Sequence, residues 1–378
     1  MSRPVPRAGP PARTGAVVVP RARTRRRSVQ PEATPRALVM SDVAARAGVS
    51  HQTVSRVING SPNVAPKTRA RVERAIAELG YRPNTAARAL VTGSTRTIGL
   101  VIVKINHYGP AQTLVGLEQA ARAAGYALSV TVLDDATAGA MCDAVDRFVA
   151  QSVDAVVALA TYDAVSEALG TLDPPVPLVA VHSGRGARTA VGMDQIAGAR
   201  LATRHLLELG HRTVHHVAGP ADSQEARDRI EGWRGELLAA GAPVPPLLHG
   251  DWTPPSGHAS GRRLATRMRD GEDVTAVFPG NDQMALGLLA AFREEGLAVP
   301  RDVSVVGFDD LPEAPYFAPP LTTVRQDFAE LGRRAARLAL SRLKGEAVLP
   351  EPVLPALVQR SSTGPPARRP AGARPGSG

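Results

Sequence analysis

The sequence predicts a small all-α N-terminal region followed by an α/β body that contains two parallel sheets. Over residues 98–363, strand-like apolar runs alternate with helix patterns of roughly 10–15 residues, an order typical of parallel sheets covered by helices on both faces. This stretch is long enough for two such units. Residues 41–80, in contrast, contain only short helical patterns separated by turns.

The composition of the 378-residue chain places a basic front before an acidic body. The formal net charge is +8 over residues 1–37, +6 over 38–97, −7 over 98–363 and +3 over the last fifteen residues. Such asymmetry is typical of a nucleic-acid-binding region joined to a body that binds something else. The single cysteine, Cys142, excludes a disulfide framework and a four-cysteine zinc site. No apolar run approaches the ~20 residues of a membrane helix and no secretory apolar region is present, so we expect a cytoplasmic protein.

Both ends of the chain have a biased composition. Residues 1–38 are rich in Pro, Arg, Ala and Gly and include the like-charged block 25–27, so we expect a disordered basic tail. This tail is either an arm that touches DNA or a stretch without a specific role that precedes a translation start at Val39 or Met40. Residues 364–378 are rich in Pro, Gly and Arg, and we expect them to be disordered as well.

Residues 41–80 have the pattern of a helix-turn-helix followed by a third helix. Ser41 is a suitable N-cap for the first helix, and Gly48 permits the tight turn that follows it. Ser50 can cap the second helix, whose apolar positions face back onto the first. The third helix begins near Pro66, a favourable first-turn residue, and Gly80 is placed to end it. The first two predicted helices cover residues 42–47 and 51–58.

Polar side chains occupy the predicted exposed face of the second helix. Gln52 and Arg56 can pair bidentately with adenine and guanine in the major groove of DNA, and His51 lies beside them. Hydroxyl, amide and basic side chains nearby are better suited to phosphate, namely Thr53, Ser55, Asn59, Lys67 and Arg69. The solvated face of an ordinary small helical bundle would contain similar residues. The spacing and the charge together favour DNA binding over that alternative.

Candidate ligand-binding residues follow the predicted strands of the body, where doubly wound sheets bind their ligands. The candidates are Arg229 after strand 213–218, Asn281 and Asp282 after strand 276–278, Asp309 and Asp310 after strand 303–308, and Trp252 in a Gly/Pro-rich loop. Saccharide sites combine polar groups that pair with neighbouring hydroxyls and an apolar face that packs on the sugar ring. Considered one at a time, Arg229 also fits a surface salt bridge, and the two aspartates fit turn caps.

Several long motifs, found in one order, resemble the LacI/GalR family of bacterial transcriptional regulators. They are DVAARAGVSHQTVSRVIN at 42–59, LGYRPN at 79–84, GHRTVHHVAGP at 210–220, FPGNDQMALG at 278–287, DVSVVGFDD at 302–310 and PPLTTVRQDF at 319–328. The resemblance covers roughly residues 39–360. It implies a helix-turn-helix headpiece at 39–83, a hinge helix and linker at 84–97, and a two-lobed periplasmic-binding-protein-like core at 98–363 that binds a sugar and dimerises.

The resemblance also implies roles in DNA binding. His51, Gln52 and Arg56 would read base edges, and Asn84 and Ala87 would contact the minor groove. Leu90 matches the apolar wedge that the family inserts into the minor groove, where unstacking is offset by the contacts that bent DNA gains. The alternative for Leu90 is a linker residue packed on the body. A two-fold dimer implies a pseudo-palindromic operator.

For the effector, the resemblance implies that Arg229, Asn281 and Asp309 bind sugar hydroxyls and that Trp252 stacks on the ring. Phe328 would supply an apolar contact with Gln326 nearby, and residues 107–113 would form the wall from the first lobe. His182 stands where a sugar-binding Asp is expected, a departure that would change which hydroxyl or sugar is recognised. These residues favour a galactoside or another neutral saccharide over a purine or a phosphorylated effector.

The sequence indicates neither a cofactor nor a metal ion. His211, His215 and His216 resemble a metal cluster only superficially, because neighbouring residues of a strand point to opposite faces. After Gln359 there is no leucine heptad tail, so a homodimer is expected rather than a tetramer.

Taken together, the sequence predicts a DNA-binding transcriptional regulator, most simply a repressor, that is controlled by a small saccharide. Three alternatives remain open at this point. One is a transport-type sugar-binding protein without a DNA role, and another is a regulator that responds to an effector other than a galactoside. The third is a glycosidase that pairs Asp309 with a second carboxylate, although no nucleophile motif supports it.

Overall fold

The computed structural model describes residues 38–82, 89–90, 92–182, 190–349 and 351–367. The chain divides into two units, residues 1–83 and residues 84–378. None of the helices in the described ranges combines the length and the apolarity that crossing a membrane requires.

The first unit contains three helices, α1 (Met40–Ala47), α2 (His51–Ile58) and α3 (Pro66–Leu79). Their apolar faces meet in a small core that includes Val43, Val54 and Val72, each fully buried. The predicted spacing of apolar residues therefore accounts for the packing of all three helices.

The caps of these helices follow the sequence expectations with one exception. The Ser50 hydroxyl accepts a hydrogen bond from the backbone N–H of Thr53, as an N-cap does. Helix α1, however, begins at Met40 with Val39 as its N-cap residue, so the assignment of Ser41 as the cap is wrong. The physical reason is that the carboxylate of Asp42 reaches back to the Val39 N–H at 2.9 Å and satisfies the helix terminus without Ser41.

The first lobe of the second unit is built on a five-stranded parallel sheet in the order β2-β1-β3-β4-β5. Its strands are β1 (Thr97–Val103), β2 (Ala127–Leu133), β3 (Ala155–Leu159), β4 (Leu178–Val181) and β5 (Ala190–Val191). Its connecting helices are α4 (Tyr108–Ala123), α5 (Ala138–Ala150) and α6 (Asp163–Thr171). The fully buried β1 and β3 pair through Ile98 and Ala155 at the centre of the lobe.

The second lobe contains a six-stranded sheet in the order β11-β10-β9-β8-β6-β7, parallel except for β11, which runs antiparallel to β10. The strands are β6 (His215–Ala218), β7 (Leu248–His249), β8 (Ala276–Pro279), β9 (Ser304–Asp309), β10 (Thr322–Arg325) and β11 (Ala356–Val358). The helices are α7 (Gln195–Glu208), α8 (Gln224–Ala239), α9 (Pro254–Arg269) and α10 (Asp282–Glu294), with a 3₁₀ turn at Ala314–Tyr316. The alternation of strands and helices predicted from the sequence is confirmed, whereas β5, β10 and β11 were not anticipated.

The last helix, α11 (Phe328–Leu343), follows a strand of the second lobe but packs in the first. Its residues Leu331, Ala335 and Leu338 share a buried cluster with Ile98 of β1. The chain therefore passes from the first lobe to the second after β5, returns after β10 and crosses again before β11. The crossings after β5 and after β10 border the space between the two sheets. Their side chains therefore lie near the carboxyl ends of the strands of both sheets.

The C-terminal tail begins later than the sequence suggests. Gly364 was expected to start a disordered segment, but its carbonyl accepts hydrogen bonds from Ser304 and pairs with the His211 ring, both at 3.0 Å. Its N–H in turn donates to the Ser304 hydroxyl. These backbone contacts hold the chain against the second lobe, so the expectation for residues 364–367 is wrong.

Candidate functional site

Helix α2 presents a polar face on the outside of the three-helix unit. Val54 and Val57 are buried against the other helices, and this fixes the opposite face toward solvent. His51, Gln52 and Arg56 are all exposed on that face. The three side chains predicted to read bases therefore extend outward from one short, capped helix.

The residues predicted to contact phosphate lie on or next to α2 and on α3. Thr53 and Ser55 lie on α2, and Asn59 is its C-cap residue, whose amide donates to the Ser55 hydroxyl at 3.4 Å. Lys67 is exposed at the start of α3. The Arg69 guanidinium donates to the carbonyl of Ser61 at 2.6 Å, so it also holds the loop between α2 and α3.

The predicted hinge residues are described only in part. Asn84 and Ala87 lie outside the described residues. Ala89 and Leu90 are helical, and the Leu90 side chain is 89% exposed. A linker residue packed on the body would be buried, so Leu90 is not packed on the described residues of the body, and its role as the apolar wedge stays a prediction.

A cleft lies between the two lobes of the second unit, with about 850 Å³ of space that includes its opening to solvent. Six of the seven predicted ligand-binding residues line it, namely His182, Arg229, Trp252, Asn281, Asp309 and Phe328. The structure thus brings together side chains that are up to 146 positions apart in the sequence.

Arg229 is the centre of the polar wall, and only 3% of it is exposed. Its Nε donates to Gln195 at 2.9 Å, its Nη1 donates to the Gly280 carbonyl, and its Nη2 lies 3.6 Å from the Asp309 carboxylate. The guanidinium also lies 4.0 Å from the Phe308 ring centroid. Arg229 is therefore held in one orientation before any ligand arrives.

The same contacts close into a ring of four side chains. Gln195 donates to the Gln326 amide oxygen at 2.8 Å, and Gln326 donates to an Asp309 carboxylate oxygen at 2.7 Å. Because each amide uses its oxygen toward one neighbour and its nitrogen toward the next, the donors and acceptors match around the ring. Gln326 was expected near the sugar, but it does not line the cleft. The structure instead places it behind Asp309, where it fixes that carboxylate.

Asp309 ends β9 with a left-handed backbone, φ 113°. Burial raises the pKa of its carboxyl to about 6, although Arg229 and the hydrogen bond from Gln326 act in the opposite direction. The nearby Asp282 is fully buried, and burial raises its pKa to about 8. Asp282 accepts hydrogen bonds from the Thr323 hydroxyl and the Leu311 N–H, so its role is to connect strands and loops.

Trp252 lines the cleft with 8% of its surface exposed and a left-handed backbone, φ 73°. The ring lies directly on Gly219, where any Cβ would overlap it. Asn281 caps α10 through its amide oxygen and donates its amide nitrogen to the Trp252 carbonyl at 3.1 Å. The amide therefore holds the loop that carries Trp252 and keeps one further N–H for a ligand.

The first lobe supplies the opposite wall. Helix α4 begins at Tyr108, and Pro110 falls within its first turn, where proline is tolerated. Tyr108 packs edge-on against Phe328, with 5.7 Å between ring centroids. His182 directly follows β4, and burial lowers its pKa, which favours the neutral imidazole at pH 7.

The histidines considered as a metal cluster do not meet. His211 bonds to Thr275 and Gly364, while His216 stacks on Phe278 inside the second lobe, 4.6 Å between centroids. Burial lowers the pKa of His216 to about 3. Across the described part of the chain, no group of three His, Cys, Asp or Glu side chains could hold a metal ion.

Sequence reasoning missed several residues of the cleft, among them Gln195 and Glu225. Gln195 lies at the crossing that follows β5, and only the fold brings it to Arg229. Glu225 lies in the first turn of α8, which starts at Gln224, where the Ser223 hydroxyl accepts from the Ala226 N–H. The motif Ser223-Gln-Glu, typical of a helix N-terminus, was the available signal.

The arrangement is that of a helix-turn-helix unit with an outward polar helix and a two-lobed body with a polar and aromatic cleft. A model of the LacI family of bacterial regulatory proteins matches residues 39–84, and a model of the periplasmic binding protein-like domain matches residues 203–363. These are the components of a transcriptional regulator that binds DNA through its N-terminal helices.

Similar proteins extend the match over most of the chain. The transcriptional regulator CelR of Thermobifida fusca is 40% identical over 324 residues, which cover 82% of this chain and 92% of CelR. The lactose operon repressor of Escherichia coli K12 is 34% identical over 330 residues, which cover 86% of this chain and 91% of the repressor. The chain belongs to the LacI family of bacterial transcriptional regulators. Since these relatives are regulators and not enzymes, the glycosidase alternative is excluded.

Two solved structures agree with this assignment. The structure of the lac repressor dimer bound to operator and the anti-inducer ONPF has a TM-score of 0.78 at 34% identity, and the alignment covers 86% of this chain and 99% of that chain. The complex of CelR with cellobiose has a TM-score of 0.63 at 35% identity with the same two coverages. The predicted two-part fold, a helical head and a two-lobed core, is thereby confirmed.

Proposed function

We propose that this protein is a repressor whose operator binding is controlled by a neutral saccharide bound between the lobes. The observation that carries the proposal is the preformed ring around Arg229 and Asp309 beside the Trp252 ring. A fixed guanidinium and carboxylate can pair with neighbouring sugar hydroxyls, and an indole face can cover the apolar face of a sugar ring. The CelR–cellobiose complex supports a saccharide effector for a relative of this chain.

For the sugar itself, we take a β-glucoside such as cellobiose as the first candidate and a galactoside as the second. Over the aligned residues, CelR is 40% identical to this chain, against 34% for the lactose operon repressor. His182, which stands where a carboxylate was expected, also supports cellobiose ahead of a galactoside, because a neutral imidazole offers a sugar hydroxyl a different partner.

On the DNA side, the proposal assigns two copies of the chain to a pseudo-palindromic operator. His51, Gln52 and Arg56 would read bases in the major groove, and Leu90 would enter the minor groove at the centre of the site. The lac repressor was captured as a dimer on its operator, and this supports the dimeric assignment. The domain boundaries at 83/84 and 97/98 would separate the head, the hinge segment and the core. The regulator would act in the cytoplasm, on the nucleoid.

Effector control requires that the two lobes affect the hinge segment. Asp154, beside β3, accepts hydrogen bonds from the backbone N–H groups of Thr95 and Arg96 at 2.9 and 3.1 Å and from the Ser94 hydroxyl at 2.5 Å. These bonds fasten the end of the hinge segment to the first lobe. A saccharide that binds the DNA-incompetent lobe arrangement more tightly would thereby release the operator.

Intrinsic fluorescence tests the effector site directly, because the chain has only two tryptophans. Trp252 lines the cleft, whereas Trp233 is buried in the second lobe and donates to the Val214 carbonyl at 2.8 Å. Titration with cellobiose, lactose and galactose should give a saturable signal change that Trp252→Phe abolishes. A change that persists in Trp252→Phe would place the saccharide elsewhere.

A further inference from the structure

Glu225 lines the effector cleft but belongs to none of the contacts that organise it. It is the second residue of α8, one helical turn before Arg229, so both side chains lie on the same face of that helix. The Ser223 cap fixes the start of the helix, two residues before Glu225.

The carboxyl of Glu225 differs from the other acids around it in its partners. Within the described residues, no hydrogen bond and no ion pair within 4.0 Å reaches it. Asp309, in contrast, accepts from Gln326, and Asp228 accepts from Gln224 at 3.0 Å. A partly buried carboxyl without a donor is costly to leave unmet, and a ligand that brings donors would satisfy it.

The charges near Glu225 favour a particular class of ligand. Arg229 stabilises its carboxylate, whereas Asp309 and Asp228 oppose it, and burial raises its pKa to about 7. Among the other groups that line the cleft, His107 and His182 have pKa values lowered mainly by burial, so they add no positive charge at pH 7. Lys104 lies over the Tyr162 ring at the first-lobe side.

Among the described residues that line the cleft, Arg229 is the one guanidinium, and the carboxyl groups of Glu225 and Asp309 both interact electrostatically with it. The negative charge of a phosphate or carboxylate group on a ligand would be repelled by both carboxylates. This repulsion is strong in a site that partly excludes water. A neutral ligand rich in hydroxyl groups would instead offer O–H donors to each.

We propose that Glu225 is a specificity-determining residue of the effector site, which accepts hydrogen bonds from hydroxyl groups of a neutral saccharide and discriminates against anionic sugars. This inference rests on the saccharide-binding function proposed above. It concerns the chemical class of the effector rather than the existence of the site.

The test compares Glu225→Gln with Glu231→Gln, which makes the same change at an exposed position of the same helix. Calorimetric titrations of the full-length protein at pH 8 would use cellobiose, lactose and cellobiose 6′-phosphate. In the wild type, cellobiose should bind at least tenfold more tightly than its phosphate ester. Glu225→Gln should weaken cellobiose binding about tenfold, because a charged acceptor becomes neutral, and should reduce discrimination against the ester. Glu231→Gln should change neither quantity.

Two contrary results are distinguishable. If cellobiose or lactose binds and Glu225→Gln matches the wild type in both affinity and discrimination, the role of Glu225 is refuted while the effector site stands. If no saccharide binds the wild type although it binds operator DNA, the proposed function fails and the inference fails with it. Unfolding curves of both variants provide the folding control, and neither substitution should lower stability, since within the described residues neither carboxylate has a hydrogen bond or an ion pair within 4.0 Å.

Discussion

Replacing Arg229 with methionine is expected to abolish saccharide binding while leaving DNA binding intact. The guanidinium is buried and makes hydrogen bonds to Gln195 and Gly280 and an ion pair with Asp309. Two charge-assisted hydrogen bonds to sugar hydroxyls at about 1.5 kcal/mol each amount to a loss of at least a hundredfold in affinity. The DNA-reading residues lie in the other unit of the chain, so operator affinity should be unchanged.

The same substitution should also reduce stability in a pH-dependent way. Breaking a buried ion pair costs about 3 kcal/mol at pH 7, because Asp309 is left without its cation. The pKa of Asp309 is about 6 even with Arg229 present, so at pH 5 the carboxyl is mostly protonated and the loss should be smaller. Chemical unfolding at the two pH values measures the difference.

The matched control for this experiment is Arg234→Met, since Arg234 is exposed on the same helix. Surface substitutions of this kind change stability by about 0.5 kcal/mol or less, and Arg234 does not line the cleft. Calorimetry with cellobiose and lactose gives the affinities of wild type and both variants. Saccharide affinity within threefold of wild type in Arg229→Met would refute the assignment of Arg229 as a ligand residue.

Three further predictions concern the head, a helix–helix contact in the first lobe, and the effect of pH. Ser50→Ala should destabilise the three-helix unit by about 1 kcal/mol through loss of the α2 cap, measured by thermal unfolding; an unchanged midpoint would contradict the cap. Gly116→Ala should cost roughly 1–3 kcal/mol, because a Cβ there would overlap the backbone of α11, whereas Gly139→Ala has open space and should be neutral or stabilising. Saccharide affinity should be full at pH 8 and fall as the pH decreases through 7 and 6, because the carboxyls of Glu225 and Asp309 lose the charge that accepts hydroxyl donors. A flat profile from pH 8 to 5 in calorimetry would contradict that role.

The head could be predicted almost completely from the sequence, because its determinants are local. Apolar spacing identifies the faces that bury Val54 and Val57, and Ser50 and Gly80 stand at the helix ends. The one error there, the cap of α1, arose because a carboxylate three residues after the true N-cap took the place of the expected hydroxyl.

The cleft was predictable only in part, because its geometry depends on contacts between distant segments. The family motifs identified Arg229, Asn281 and Asp309, but nothing local connects Gln195 with Gln326, which is 131 positions away. The packing of α11 in the first lobe was not predictable for the same reason, because it depends on contacts between distant segments. The same holds for the strands that precede and follow α11. Short runs such as Thr322–Arg325 gain strand structure only from their neighbours in the sheet.

The central claim, that a saccharide in the cleft controls DNA binding by the head, is tested most directly by fluorescence anisotropy. Labelled duplex DNA from the region upstream of the gene, together with duplexes selected from random sequence, would be titrated with the full-length protein and then with cellobiose, lactose and galactose. The account predicts tight binding that weakens steeply with salt, as phosphate contacts release counterions, and release of the DNA by at least one saccharide. Arg229→Met should bind the same DNA and remain bound when the saccharide is added. Tight DNA binding that no saccharide changes, or equal release of wild type and Arg229→Met, would contradict the account.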